Sequence, residues 1–523
     1  MVRFAFSSPT AALAFALLGH GKHHLIMQPQ QCLQPRRGNV HTKRPYYSHS
    51  NTVSPYACAS PPVTEKHSMA AHDKLSNDTH SAEEQQGAAV SLHDLCMFLE
   101  ASPTDLLRLE TSKTDGVRGI FTNFKILAGD IVLRVPLRSC LLDDKPPNWY
   151  VKSLVEREDG KKFAYQNPSE WATRLAASVV DLQMEQRLKR EDQHDKTSRN
   201  LDTGKDLWLS LLPNLDYLRA SLPVHWSEQV LQSARCTALE LAVDSSYFAR
   251  AEAVADLMIA LERHHAQAKG IPKEELTQLC HDALDVVQTR SCRADRVVMG
   301  DVFPLRILAP IFDLINHGSS SGRGEGSANA RFGVEDHEDD KGVSHPYLCV
   351  RATRDIDDNE EVLFNYGPSA KPSWKCLLNY GFVPRHIQSE HCGDDGDCVA
   401  EVFLDGNRYE VGPANIPFEL VEAASPPELL RHGEDITLTS AIALKLAKRI
   451  STVSYYLLVD DKRRLQNNEN NGYEDFLCLD DELDFIESTE DLLSWQLAAS
   501  LRWSQHRILC DCAKGLQAWA NGE

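Results

Sequence analysis

The chain reads as an α+β protein in which a β-rich domain is split by a helical insert and followed by an all-α C-terminal domain. Three observations predict this. Two strand–turn–strand segments, residues 116–136 and 347–366, stand far apart in the sequence. Helical periodicity fills the interval between them, and it returns beyond Pro384.

The first 64 residues hold no Asp or Glu but carry Arg3, Lys22, Arg36, Arg37, Lys43 and Arg44 among many Ser, Thr, Pro and Gln. A basic, acid-free, hydroxyl-rich leader is the composition of an organelle transit peptide. The expected destination is a plastid, with mitochondrion or cytoplasm as alternatives. The apolar run at residues 10–19 is too short to span a bilayer, and no other stretch is long enough, so no membrane partner is expected. Residues 65–90 are polar and expected to be disordered.

Folded sequence begins near Val90, where "VSLHDLCMFLEA" has helical spacing. In "GVRGIFTNFKILAGDIVLRVP" Ala128-Gly129-Asp130 makes a turn, and Ile131, Leu133 and Val135 alternate with Val132 and Arg134 as a half-buried strand does. "EWATRLAASVVDLQMEQRL" places Leu175, Val179 and Leu182 on one helical stripe. Lys189–Lys205 reads as a charged linker. Residues 251–267 and 275–292 read as further helices. In 347–366, Asp357–Asn359 supplies the turn and Glu361–Tyr366 the second strand. The C-terminal stretches from Ser440 and Thr489 are long, amphipathic and rich in helix formers. The expected division is a transit peptide and leader over 1–90, the β-rich domain over 91–145 and 301–385, the insert over 146–300 and a helical domain over 386–523.

Of the 523 residues 42% are hydrophobic and 25% charged, as in soluble globular proteins. The net charge of −20 argues against nucleic acid as the main ligand, because phosphate binding needs a basic face. It suits a partner with exposed lysine or arginine, although acidity also serves plain solubility. The fourteen cysteines show no paired short spacing of the kind that structural zinc needs, so no metal is expected and the thiols read as reduced.

The residues that point to chemistry lie around "ILAPIFDLINHGSS", 307–320. A strand-like apolar run, Ile307–Ile315, holds one acid, Asp313, and ends abruptly on Asn316 and His317. Taken alone this is a strand reaching the surface, with Asn316 opening a turn. Downstream come two Tyr-Gly pairs, Tyr366-Gly367 in "EEVLFNYG" and Tyr380-Gly381 in "LLNYGFVP". The long Ser/Gly loop after His317 follows no strand and opens no helix, so it is not a phosphate loop.

In this order and spacing the segments resemble the SET-domain protein methyltransferases, in the class of the Rubisco large-subunit lysine methyltransferase and the actin-histidine methyltransferase. "GVRGIFTNFKILAGDIVLRVP", the Trp-x-x-x-Leu-Pro segment from Trp208 to Pro213, "VVQTRSC", "LAPIFDLINH", "EEVLFNYG" and "LLNYGFVP" carry the resemblance, over about residues 95–515. It implies a SET-type fold with a helical substrate-binding C-terminal domain and S-adenosyl-L-methionine as cofactor. The partner it implies is a protein with an exposed Lys (or His), and a monomer is expected. The cofactor would lie against the backbone of Gly116, Val117 and Arg118. Arg290 would take its carboxylate, and Asn316 and His317 its amino-acid and adenine parts. Tyr366 would be the catalytic tyrosine, Tyr380 and Phe382 would line the channel, and Asp313 would contact substrate. Two departures concern the cofactor loop and the stretch after Tyr366. Gly116-Val117-Arg118-Gly119 replaces the usual Gly-x-Gly, and "GPSAKPSWKCLL" lacks the Asn often found there. The activity implied is protein-lysine N-methylation. Protein-histidine methylation on the same scaffold, or a SET-like binding module without catalysis, are the alternatives.

Overall fold

A computed structural model describes residues 92–111, 118–157, 170–192, 204–298, 300–318, 327–338, 342–367, 371–384, 398–404, 406–413, 415–426, 437–458 and 489–522. The leader, Gly116 and Val117 lie outside the described residues.

The N-terminal part of the β-rich domain contains α1 (Leu92–Phe98), β1 (Leu107–Thr111), β2 (Arg118–Thr122), β3 (Ile131–Pro136) and β4 (Leu141–Leu142). β1 and β2 pair antiparallel, with Leu109 opposite Ile120. The turn before β3 runs through Gly129 at φ +91°, a conformation that glycine adopts without steric cost.

The insert is helical: α2 (Asn148–Arg157), α3 (Trp171–Asp192), α4 (Gly204–Leu211), α5 (Leu215–Ser221), α6 (Glu228–Ser233), α7 (Thr237–His264) and α8 (Lys273–Arg290). Two expectations shift here. α3 continues through Lys189 to Asp192, so the charged stretch starts inside a helix. α7 begins at Thr237, well ahead of residue 251. Its N-terminal half exposes Leu241, Tyr247 and Phe248, which blurs the apolar stripe.

The chain then returns to sheet with β5 (Cys292–Val298), β6 (Asp301–Leu308), β7 (Asn316–His317), β8 (Ala330–Glu338), β9 (Ser344–Ala352), β10 (Leu363–Phe364) and β11 (Lys371–Pro372), followed by α9 (Ser373–Tyr380). β9 joins the two halves: it pairs antiparallel with β3 on one side and β8 on the other. The Ile307–Ile315 run is not one strand. β6 stops at Leu308, Ile311 sits at φ +71°, and Phe312–Leu314 form a 3₁₀ turn before β7. A β-branched residue in the left-handed region is strained, and such strain persists only where its surroundings hold it. Ile311 is fully buried.

The C-terminal part carries an element that its composition did not suggest. A hairpin, β12 (Cys398–Leu404) and β13 (Asn407–Val411), precedes α10 (Phe418–Ala424), α11 (Ser440–Leu457) and α12 (Thr489–Asn521). The hairpin turns at Gly406, φ +82°, and buries Val402 and Val411 in the same cluster as Leu446, Ile450 and Leu509 of α11 and α12. A second cluster ties α6, α7 and α9 to α12 through Trp374, Leu377 and Leu501.

Candidate active site

Each element around β7 delivers one side chain to a common place. β7 and β10 run parallel, Leu363 beside Asn316 and Phe364 beside His317. Asn329, fully buried, fixes this pair. Its backbone N–H donates to the Leu363 carbonyl at 3.0 Å, its Oδ1 accepts from Leu363 N at 2.8 Å, and its Nδ2 donates to the Glu361 carbonyl at 2.7 Å. Asn316 Nδ2 donates to the Arg118 carbonyl at 3.1 Å and to Glu361 Oε1 at 2.8 Å, so the end of β7 is bound to the start of β2. Gly119 permits that approach: a Cβ there would run into the Glu361 carboxylate and stand 2.7 Å from Asn316 Nδ2.

Tyr366 follows β10 directly. Its backbone N–H donates to His317 Nδ1 at 3.2 Å, which puts the ring proton of a neutral His317 on Nε2. Its hydroxyl donates to the Ile315 carbonyl at 2.7 Å. Burial pushes the phenol up to about 12, with Arg290 opposing and Asp313 and Glu361 adding to the rise. Tyr366 is therefore a neutral phenol throughout the physiological range. α9 ends on Tyr380, whose hydroxyl donates to the Tyr366 carbonyl at 2.9 Å. Gly381 caps the helix at φ +74° and turns the chain so that Phe382 joins the same wall. Ring centroids lie 5.2 Å apart for His317 and Tyr366, 5.5 Å for His317 and Phe382, and 5.0 Å for Tyr366 and Tyr380.

The polar side of the site comes from the insert. Arg290, the last residue of α8, donates through Nη1 to the Asp313 carbonyl at 2.7 Å, while its buried Nε has no partner among the described residues. Position at a helix C-terminus suits a cation, so helix termination and site placement coincide in this residue. The Asp313 side chain is buried in the 3₁₀ turn. Trp208 Nε1 donates to its Oδ2 at 3.1 Å, and Oδ1 has no partner among the described residues. Burial raises its pKa to about 6 against the pull of Arg290 and the Trp208 bond. Arg118 does not crowd this space. Its guanidinium donates to the Leu211 carbonyl at the end of α4, and burial followed by the charge of Arg290 lowers its pKa.

The SET domain family matches residues 117–367, a span that contains every residue of this cluster except Tyr380 and Phe382. Residues 117–367 are a SET domain. A segment of 78 residues is 38% identical to SET domain-containing protein 8 of Schizosaccharomyces pombe (strain 972 / ATCC 24843), covering 15% of this chain and 14% of that relative's length. The chain is also similar to the structure described as "Crystal structure of the SET domain of LSMT bound to Lysine and AdoHcy", with 14% identity and a TM-score of 0.43 over 82% of this chain and 91% of that one. For "Structure of Rubisco LSMT bound to AdoMet" the values are 13%, 0.41, 82% and 91%.

The fold brings together Arg118, Arg290, Asp313, Asn316, His317, Tyr366, Tyr380 and Phe382 from the sequence reading, while Gly116 and Val117 lie outside the described residues. Sequence reasoning missed Glu361, Asn329 and the role of Trp208. "EEVLFNYG" contains Glu361, but nothing there separates it from a solvated strand charge. Asn329 sits in a Ser/Gly-rich run without periodicity. The cofactor of SET-domain methyltransferases is S-adenosylmethionine, and the site's composition fits it. Among the described residues Arg290 retains a buried unpartnered donor, Asn316 and His317 lie on adjoining backbone, and three aromatic rings supply the apolar wall.

Proposed function

We propose that this SET-domain protein is an S-adenosylmethionine-dependent protein-lysine N-methyltransferase. The observation that carries the reading is the parallel β7–β10 pair, which presents Asn316, His317 and Tyr366 side by side within the SET domain. Arg290 would hold the carboxylate of the cofactor, as a guanidinium does best. Asn316 and His317 would hold its amino-acid and adenine parts, and Tyr380 and Phe382 would wall the channel. When bound, the cofactor supplies a methyl group on a cationic sulfur, already activated for displacement.

The chain's residues then position the amine. A lysine amine is protonated in water, with a pKa of about 10.4, and a desolvating aromatic site favours its neutral form. The Tyr366 hydroxyl donates its proton to the Ile315 carbonyl, so towards the amine its oxygen acts as an acceptor that fixes the line of attack. With its pKa up at about 12, Tyr366 aligns the nucleophile and is not a general base. Asp313 is ionised above about pH 6 and draws a cationic side chain towards the site. Most of the acceleration comes from positioning and electrostatics. The substrate is a protein with an exposed lysine, which the acidic surface suits.

We also propose that residues 1 to about 64 direct import into a plastid. The acid-free, basic composition supports this. A fluorescent protein fused behind this leader leaves the cytosol if the reading is right. The methyltransferase reading is tested by incubating the purified protein with labelled S-adenosylmethionine and a lysate of its source organism, then mapping the label by mass spectrometry. Label on lysine supports it. Label on histidine overturns the lysine assignment, and cofactor binding without any label favours a binding module.

A further inference from the structure

Away from this site, three donors of different chemistry meet on one face of the β8–β9 ladder. Glu335 and His337 lie two apart on β8, so their side chains share a face. Cys349 of β9 is opposite Gly333 in register and therefore on that face too. Cys349 Sγ is 3.3 Å from His337 Nε2, which is 3.4 Å from Glu335 Oε2, and the three ligand atoms all lie within 4.8 Å of one another. Edges of about 3.3–3.8 Å are what a tetrahedron with metal–ligand bonds of about 2.0–2.3 Å requires.

We propose that Glu335, His337 and Cys349 form a zinc site that clamps β8 to β9. One thiolate, one imidazole and one carboxylate are the borderline-soft donor set that zinc takes. On binding, the Cys349 S–H bond breaks, its proton leaves to solvent, and the S–Zn bond forms. Thiolate and carboxylate together offset the two charges of the ion. The surroundings suit this. Arg351 grips Glu335 through both oxygens, at 2.7 and 2.5 Å, and would orient the carboxylate as partners of metal ligands do. Tyr347 packs its ring edge-on against His337, with centroids 5.7 Å apart, which fixes the imidazole plane. Room for a fourth ligand lies over Gly333, where a Cβ would have nothing within 4 Å among the described residues. Cys349 is 1% exposed, whereas the His337 and Glu335 side chains are 23% and 33% exposed, so an ion enters past the imidazole and carboxylate to the thiol beneath.

The test uses the full-length protein stripped of metal and titrated with zinc by calorimetry and with cobalt(II) by absorption. The expected result is one equivalent of zinc bound at submicromolar strength, with a thiolate-to-cobalt charge-transfer band. His337→Ala and Cys349→Ser should each weaken zinc at least a hundredfold, and zinc should raise the melting temperature of wild type only. If Cys349→Ser fails to fold, the partly exposed His337→Ala decides the matter. Absence of the charge-transfer band, binding weaker than about 100 μM, or equal affinity in wild type and His337→Ala would overturn the site. Equal affinity would place the ion on other thiols.

Discussion

Trp208 Nε1 donates to Asp313 Oδ2 at 3.1 Å, and this bond joins the centre of the insert's α4 to the turn that leads into Asn316 and His317. Both residues are buried, and among the described residues Trp208 gives the side-chain hydrogen bond to the Asp313 carboxyl, whose Oδ1 has no partner there. Trp208→Phe keeps an aromatic ring but removes that donor, so a buried carboxyl loses its partner. The expected cost is about 1–3 kcal/mol of stability, and the pH at which methyl transfer switches on should move upward. Packing loss alone would lower the melting temperature without moving the pH profile, so measuring both separates the two effects.

Asp313 itself makes stability depend on pH with a defined sign. Its pKa rises from 3.8 to about 6 on folding, so the folded state binds the proton more tightly than the unfolded chain. The contribution is fully present below pH 3.8 and is lost as pH rises through 6. A rise of that size corresponds to about 3 kcal/mol. Asp313→Asn removes this dependence. Wild type should therefore lose about 2–3 kcal/mol more than the variant between pH 4 and pH 8 in chemical denaturation. A variant whose stability falls as steeply as wild type over that window would place the buried charge elsewhere.

Sequence pattern revealed the strand Ile131–Pro136, although a register shift after Ile131 buries Val132 together with Leu133 and Val135 where strict alternation was expected, and it revealed helices such as Lys273–Arg290. Composition hid whatever depends on a single backbone torsion or on a distant partner. The run from Ile307 looks like one strand because every residue in it but Pro310 and Asp313 is apolar. Its break at Ile311 is enforced by tertiary packing, which propensity does not register. The hairpin at 398–411 escaped notice because it lies among helical segments. Asn316, His317 and Tyr366 were readable through family resemblance alone. Glu361 and Asn329 act by bonding to backbone from other strands, so no local motif marks them. The Glu335–His337–Cys349 cluster was equally hidden, because its third member comes from the neighbouring strand.

Asn316 should matter to the cofactor more than to the fold. Asn316→Ala removes two hydrogen bonds, to the Arg118 carbonyl and to Glu361, and leaves a half-buried position that tolerates a small side chain. A cofactor group deprived of its partner in such a site costs about 1–3 kcal/mol. S-adenosylmethionine affinity measured by calorimetry should fall roughly 5- to 150-fold on that basis. Unchanged affinity would remove Asn316 from the cofactor site.

Tyr366→Phe distinguishes an aligning hydroxyl from a packed ring. The ring sits among His317, Phe364, Tyr380 and Phe382, and all of those contacts survive in phenylalanine. What disappears is the 2.7 Å bond to the Ile315 carbonyl, worth about 1 kcal/mol of stability. The backbone N–H of residue 366 still donates to His317, so that ring keeps its tautomer and its place. Cofactor affinity should stay within a few-fold of wild type. Turnover should drop by orders of magnitude, because an interaction that aligns amine and methyl is lost mainly in the transition state. Since Tyr366 is a neutral phenol up to about pH 12, the residual activity should follow the same pH profile as wild type. If the tyrosine served only packing, turnover would be nearly unchanged and the melting temperature slightly lower. Turnover, cofactor affinity and melting temperature measured on one preparation decide between these outcomes. Wild-type turnover in Tyr366→Phe would exclude this residue as the catalytic tyrosine.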